Sequence, residues 1–300
     1  MKVINTMEPY DCLVMGGGPA GSTVGALVAE AGYRTLVVER DRFPRFRVGE
    51  SLMPASYDIF RRLGVLEQMK ASSFVRKASV QFVSHTGKES QPFHFRQHDP
   101  HERARTWQVE RSRFDAMLFD NAAAKGAECR DGTRVIKVEF QGDRACGARI
   151  RLPDGREQDV AARTVVDATG QQTLIAGRLG LKRPDPTLRK AAVWGYFQGA
   201  WRAPGEDGGA TVILHTQDKE AWFWSIPLSN EMTSVGVVGD VDRLFRGQVS
   251  PAKIFAQQRA CCSAVDERLA GAEQIGPLHV AKEFSYHTTR AAGDGWVLVG

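Results

Sequence analysis

The residues Gly16-Gly17-Gly18-Pro19-Ala20-Gly21 follow the apolar run Cys12–Met15 and lead into a stretch of small residues. This is G-x-G-x-x-G set between a strand and a helix. Gly16 permits the tight turn, Gly18 leaves the backbone bare for a pyrophosphate, and Gly21 lets helix and strand pack closely. Free N–H groups at the helix start, reinforced by the helix dipole, favour phosphate charge there. A second buried stretch, Arg34–Val38, ends at Glu39, which stands 23 residues after Gly16. That is close to the spacing of a carboxylate that binds the ribose 2′-hydroxyl. Strand, turn, helix, strand and acid in this order predict an adenine-dinucleotide site. They do not say which dinucleotide, or what reaction.

Three further groups could take part. Arg111 opens the patterned helix Arg111–Lys125, where the dipole disfavours a cation, so an anionic partner is expected. The strand Arg163–Asp167 runs into Asp167-Ala168-Thr169-Gly170, bringing a carboxylate and a turn to the strand end where open α/β sheets bind ligands. In Trp222-Phe223-Trp224-Ser225-Ile226-Pro227 the two indoles, at i and i+2, project from one face of a strand. Taken alone they read equally as half-buried core. His94, His98 and His101 lie in a polar stretch broken by Pro100 and read as loop residues, because a metal site needs fixed geometry.

These groups need a framework. The chain has 300 residues and a formal net charge of +5, enough for one large domain or two joined ones with a sizeable core. The positive charge is scattered except in Arg40–Arg47 (RDRFPRFR), which reads as a phosphate-facing or solvated loop and not as a nucleic-acid surface. Cys12, Cys129, Cys146, Cys261 and Cys262 form no C-x-x-C pair. The odd count suits a reducing, cytoplasmic protein without a disulfide framework or zinc site. No apolar run approaches the ~20 residues of a membrane span, and no signal core precedes the glycine turn. Phe43–Pro54 is a shaped loop punctuated by Pro44, Gly49 and Pro54, and Ser56–Met69 is an amphipathic helix. Val75–Val83 is expected as one strand with Lys77 near its start, and Gln91–Arg96 as another with Phe93 and Phe95 on one face. From Lys190 to Asp240 four period-two segments separated by turns predict an inserted antiparallel sheet. The last residues, Gly295–Gly300, stop inside an apolar strand, which suggests a partial sequence.

With GGGPAGS, Glu39, the Gly49-Glu50-Ser51 loop, Arg111, VVDATG and an inserted sheet in this order, the chain resembles the flavin monooxygenase-like superfamily of p-hydroxybenzoate hydroxylase fold. Within it, WFWSIP matches the W-x-W-x-I-P motif of flavin-dependent halogenases, and FPRFRVGESLMP is similar to their loop after the second strand. The resemblance implies an α/β fold: an FAD-binding Rossmann-like domain of glutathione reductase/p-hydroxybenzoate hydroxylase type with an inserted antiparallel substrate domain. Residues 1–75, 105–185 and 275–300 would form the first, and 76–104 and 186–274 the second. It implies FAD contacts from Gly16, Gly18, Pro19, Ala20, Gly21, Glu39, Arg40, Arg47, Gly49, Glu50, Ser51, Arg111, Val135, Asp167 and Gly170. Gly300 would open a Gly-Asp clamp on the ribityl chain.

The activity implied is oxidation of chloride or bromide, with reduced FAD and O2, to hypohalous acid. Lys77 (with Lys70 as the fallback) would deliver it to a phenol or pyrrole, free or on a carrier protein. Trp222, Trp224, Ile226 and Pro227 would wall the substrate off from the flavin. No second G-x-G-x-x-G appears, so reduced flavin would come from a separate reductase. An NAD(P)H-dependent aromatic hydroxylase, a geranylgeranyl-reductase-like enzyme and a non-catalytic flavin-binding protein are the alternatives.

Overall fold

The computed structural model describes residues 8–247, 250–282 and 285–299. Gly300, the expected start of the Gly-Asp clamp, lies outside them. The chain divides into two compact units: one holds the residues up to Arg47, Arg111–Asp185 and the residues from Tyr286 onward, the other Val48–Glu110 and Pro186–Ser285.

The first unit is built on a parallel sheet. Tyr10–Met15 lies between Thr35–Val38 and the end of Glu157–Asp167, and Glu128–Arg130 and Trp296–Leu298 extend it on either side. Leu13, Val14, Met15, Leu36 and Val37 are wholly buried, as continuous apolar strands covered on both faces should be. Glu157–Asp167 serves twice. Its first half pairs antiparallel with Arg144–Arg151 and its second half parallel with Tyr10–Met15. Helix Pro19–Glu30 packs through Gly25, where a Cβ would come within 2.4 Å of Val37.

The second unit carries a seven-stranded sheet in the order Glu273–Lys282, Lys190–Gln198, Met232–Asp240, Ala221–Pro227, Thr211–His215, Ser79–Val83, Phe93–His94. It is antiparallel except where Thr211–His215 runs parallel to Ser79–Val83. One face buries Val193, Phe197, Leu214, Phe223, Val235 and Val237 with Phe255 of helix Pro251–Arg259. The opposite face carries Trp194, Tyr196, Trp222, Trp224 and Ile226, packed with Val48.

Four expectations change. The helix expected over Ser56–Met69 is two, Ser56–Leu63 and Leu66–Ala71, parted at Gly64, which takes a left-handed backbone. Val75–Val83 is two strands: Val75–Lys77 pairs with Thr106–Gln108, and Ser79–Val83 joins the large sheet. Lys77 therefore ends a strand. Gln91–Arg96 is a strand only at Phe93–His94, and a 3₁₀ turn at Phe95–Gln97 turns Phe95 inward (9% exposed) while Phe93 stays out (47%). The expected boundaries at 75, 105 and 275 also shift. Residues 48–75, 105–110 and 275–285 belong with the second unit, because Glu50–Leu52 run alongside Trp107–Val109 through backbone hydrogen bonds and Glu273–Lys282 is a single strand of the second sheet.

Candidate FAD cradle and buried lysine site

In the first unit, Gly16 takes a left-handed backbone (φ +106°), and a Cβ there would lie 2.3 Å from the Ala168 carbonyl. Gly21 is tighter still, its Cβ position 1.8 Å from the Gly16 carbonyl. Only glycine closes this turn. Gly18 is the N-cap of the helix that begins at Pro19 and Ala20, and as glycine it brings no side chain to cap the first N–H groups. Glu39, at the end of the second strand, is buried. It accepts hydrogen bonds from the N–H groups of Gly17 (3.0 Å) and Asp41 (3.1 Å).

Arg45, which sequence reasoning missed inside the basic run, completes this cradle. It is buried, pairs with Asp115 at 2.8 Å and Glu39 at 3.4 Å, and leaves its Nε without an acceptor among the described residues. Its Nη2 lies 3.4 Å from the Cβ position of Gly18. An unspent buried guanidinium N–H demands an acceptor, and beside a bare glycine turn at a helix start the fitting acceptor is a phosphate oxygen. The cradle therefore suits the diphosphate of a dinucleotide.

Other first-unit candidates are tied into the protein. Arg111 finds its anion in Asp115, one turn along its own helix, at 2.7 and 2.9 Å. Arg40 and Arg47 both reach Asp41. Both oxygens of Asp167 accept hydrogen bonds, from Thr169 and from the Ile175 N–H, so this carboxylate shapes the DATG turn. Gly170 supplies a positive φ there. Val135 pairs with Ile150 and packs into the apolar core.

In the second unit, Lys77 is 2% exposed. Its Nζ donates to Ser51 Oγ (2.8 Å) and the Leu52 carbonyl (3.1 Å) and lies over the Phe95 ring. No carboxylate among the described residues comes within ion-pair distance, and burial pulls its pKa down to about 8. Lys70 differs: held by Glu102 and Glu67, it stays protonated far above neutrality. Ser51 Oγ also contacts Thr211 (2.8 Å), which accepts from Gln108 (2.9 Å), so the serine is fixed from two sides. Gly49 has a positive φ. Glu50 is buried and accepts from Tyr196 Oη at 2.7 Å; burial of the phenol, and then the Glu50 charge beside it, drive its pKa far up.

Trp222 and Trp224 stand on one sheet face with ring centroids 6.4 Å apart. Trp224 is nearly buried, and its indole N–H donates to Ser234 Oγ. Gly236 makes room for it, since a Cβ there would meet Trp224 and Trp194 at 2.4 Å. Ile226 and Pro227 are buried at the end of this strand. Tyr196, Gln108 and Thr211 escaped the sequence reading, because each acts across strands remote in sequence.

The chain matches the FAD binding domain family over residues 9–269. It is 29% identical over 313 residues to the 1H-pyrrole-2-carbonyl-(peptidyl-carrier protein) chlorinase of Pseudomonas fluorescens, covering 97% of this chain and 69% of that protein. It is 31% identical over 300 residues to the corresponding brominase of Pseudoalteromonas luteoviolacea, covering 99% and 71%. The structure superimposes on the myxobacterial chondrochloren halogenase CndH with a TM-score of 0.89 at 35% identity, over 97% of this chain and 68% of that one. The chain thus spans about two thirds of the length of these relatives. The chain is an FAD-binding protein and belongs to the flavin-dependent halogenases.

Proposed function

We propose that the protein halogenates an electron-rich aromatic of phenol or pyrrole type, using chloride or bromide, with Lys77 as the residue that directs the halogen. The observation that carries this is the state of Lys77: a buried amine with no carboxylate of the described residues within ion-pair distance and a pKa of about 8. When bound and reduced, FAD supplies with O2 the oxidising chemistry that converts halide to hypohalous acid. In its charged form Lys77 donates a hydrogen bond to the oxygen of hypohalous acid and leaves the halogen end electrophilic. In its neutral form the amine accepts the acid's proton as a hydrogen bond. Either way the reagent is held in one place and orientation. Ser51, pinned by Thr211, keeps the ammonium from swinging.

Trp222, Trp224, Ile226 and Pro227 would present a stiff apolar wall that keeps an aromatic substrate from direct oxidation. Relatives whose names specify a pyrrole on a carrier protein favour pyrrole-type substrates, including carrier-bound ones. The reduced flavin would come from a separate reductase. The free cysteines suit a reducing compartment such as the cytoplasm, and no helix among the described residues is long and apolar enough to cross a membrane.

Incubation with FAD, a flavin reductase, O2, bromide and a panel of phenols and pyrroles tests the proposal. A bromine mass shift that requires halide supports it. A hydroxyl mass shift that requires NAD(P)H and no halide would replace it with the hydroxylase reading.

A further inference from the structure

The second unit contains a cavity of about 520 Å³ lined in part by Lys77, Tyr57, Arg76, Glu102, Arg105 and Trp107. That volume suits a small organic molecule. A glycine-rich wall makes the room: Gly205, Gly208 and Gly209 line it, and a Cβ on Gly209 would collide with the Arg76 carbonyl at 1.8 Å. The charges around the cavity do not cancel. Glu102 is taken by Lys70 (2.9 Å) and by Tyr57 Oη (2.8 Å). Glu206, also in the lining, is taken by Arg105 (3.5 Å) and Arg96 (3.7 Å). Arg76 makes no ion pair among the described residues. Its guanidinium lies over the Trp107 ring at 4.7 Å and spends one N–H group on the Lys70 carbonyl (2.9 Å). Trp107 is fully buried, and its indole N–H has no acceptor among the described residues. One exposed cation with donors to spare, braced on the Trp107 ring, thus stands at the edge of the cavity. A ligand that pairs with it carries a negative charge and is of a size to fill the space beside it.

We propose that this cavity binds an aromatic molecule bearing an acidic group such as a carboxylate, with Arg76 pairing the anion. This deepens the aromatic-halogenation reading above and rests on it. The acid would set which free aromatics enter, a carrier-bound one having its carboxyl tied up in the link to the carrier, and the ring would lie on the Lys77 side of the cavity.

Calorimetric titration of the protein with 3-hydroxybenzoate and with its neutral amide, 3-hydroxybenzamide, tests this without any turnover. The acid is expected to bind at least about tenfold more tightly than the amide, the order of one charge-assisted hydrogen bond. Arg76→Gln is expected to remove that advantage and Arg76→Lys to keep part of it. Equal affinity for acid and amide in the unaltered protein overturns the proposal, whatever the variants do. So does an undiminished preference in a folded Arg76→Gln protein. The halogenation assay fails or succeeds separately. Acid-selective binding without any halogen transfer removes the halogenase reading and leaves the anion site standing. Halogen transfer with equal binding of acid and amide removes the anion site alone.

Discussion

Replacing Lys77 with methionine should abolish halogen transfer while making the protein more stable. The ammonium is buried over Phe95 with a hydroxyl and a carbonyl for partners and no counter-charge among the described residues. Its pKa falls from 10.5 to about 8. At about 1.4 kcal/mol per pH unit, keeping it charged in the fold costs roughly 3 kcal/mol. Methionine fills similar space without charge. It forfeits the bond to the Leu52 carbonyl, worth about 1 kcal/mol, whereas Ser51 keeps Thr211.

The net expectation is about 1–3 kcal/mol of added stability at pH 7, or several degrees in Tm at about 2–4 °C per kcal/mol. The sign with pH is fixed. Between about 8 and 10.5 the unfolded lysine binds more protons than the folded one, so the stability of the unaltered protein rises with pH across that window. The advantage of the variant is therefore full below pH 8 and fades towards pH 10.5. Paired thermal melts at pH 7 and pH 10 measure it, with titrations elsewhere cancelling in the difference. A variant less stable than its parent at pH 7, or a difference that does not shrink at pH 10, would refute the account of Lys77 as an uncompensated buried cation.

Other substitutions probe the cradle and the sheet face. Gly21→Ala puts a methyl against the Gly16 carbonyl and should eliminate FAD binding, read by flavin fluorescence; retained binding would deny the cradle its role. Asp115→Asn strips the counter-charge from Arg45 and Arg111 and should cost about 3–5 kcal/mol in urea unfolding. Tyr196→Phe removes a donor to the buried Glu50 and should cost about 1–3 kcal/mol, seen as a lowered unfolding midpoint. Gly236→Ala overpacks Trp224 and Trp194 and should cost about 1–3 kcal/mol, with a shift in tryptophan emission.

The glycine turn, its helix and the strand ending at Glu39 were legible because each is local: a few adjacent residues determine the turn and the burial. The sheet of the second unit was legible for the same reason, through period-two patterning. The break at Ala78 was not. Lys77 and Val80 look continuous in sequence, but they pair with partners some thirty and more than a hundred residues away, Thr106 and Thr211. Arg45 was hidden among four arginines in Arg40–Arg47, and only three-dimensional pairing with Asp115 separates it from its more exposed neighbours. Asp167 and Arg111 drew attention as charges at strand and helix ends, yet their partners are local: Asp115 at i+4 on the same helix, and Thr169 and the Ile175 N–H around the turn.

The double use of Glu157–Asp167 bears on how the protein is made. Gly16 closes against Ala168, and the first strand has no partner on that side until Ala162–Asp167 exist. At about 5–20 residues per second, a nascent chain waits roughly 10–30 s between making the glycine turn and being able to lock it. During that interval the Leu13–Met15 edge and its apolar neighbours are exposed on the ribosome. Chaperone demand and premature aggregation should therefore concentrate on the N-terminal 160 or so residues.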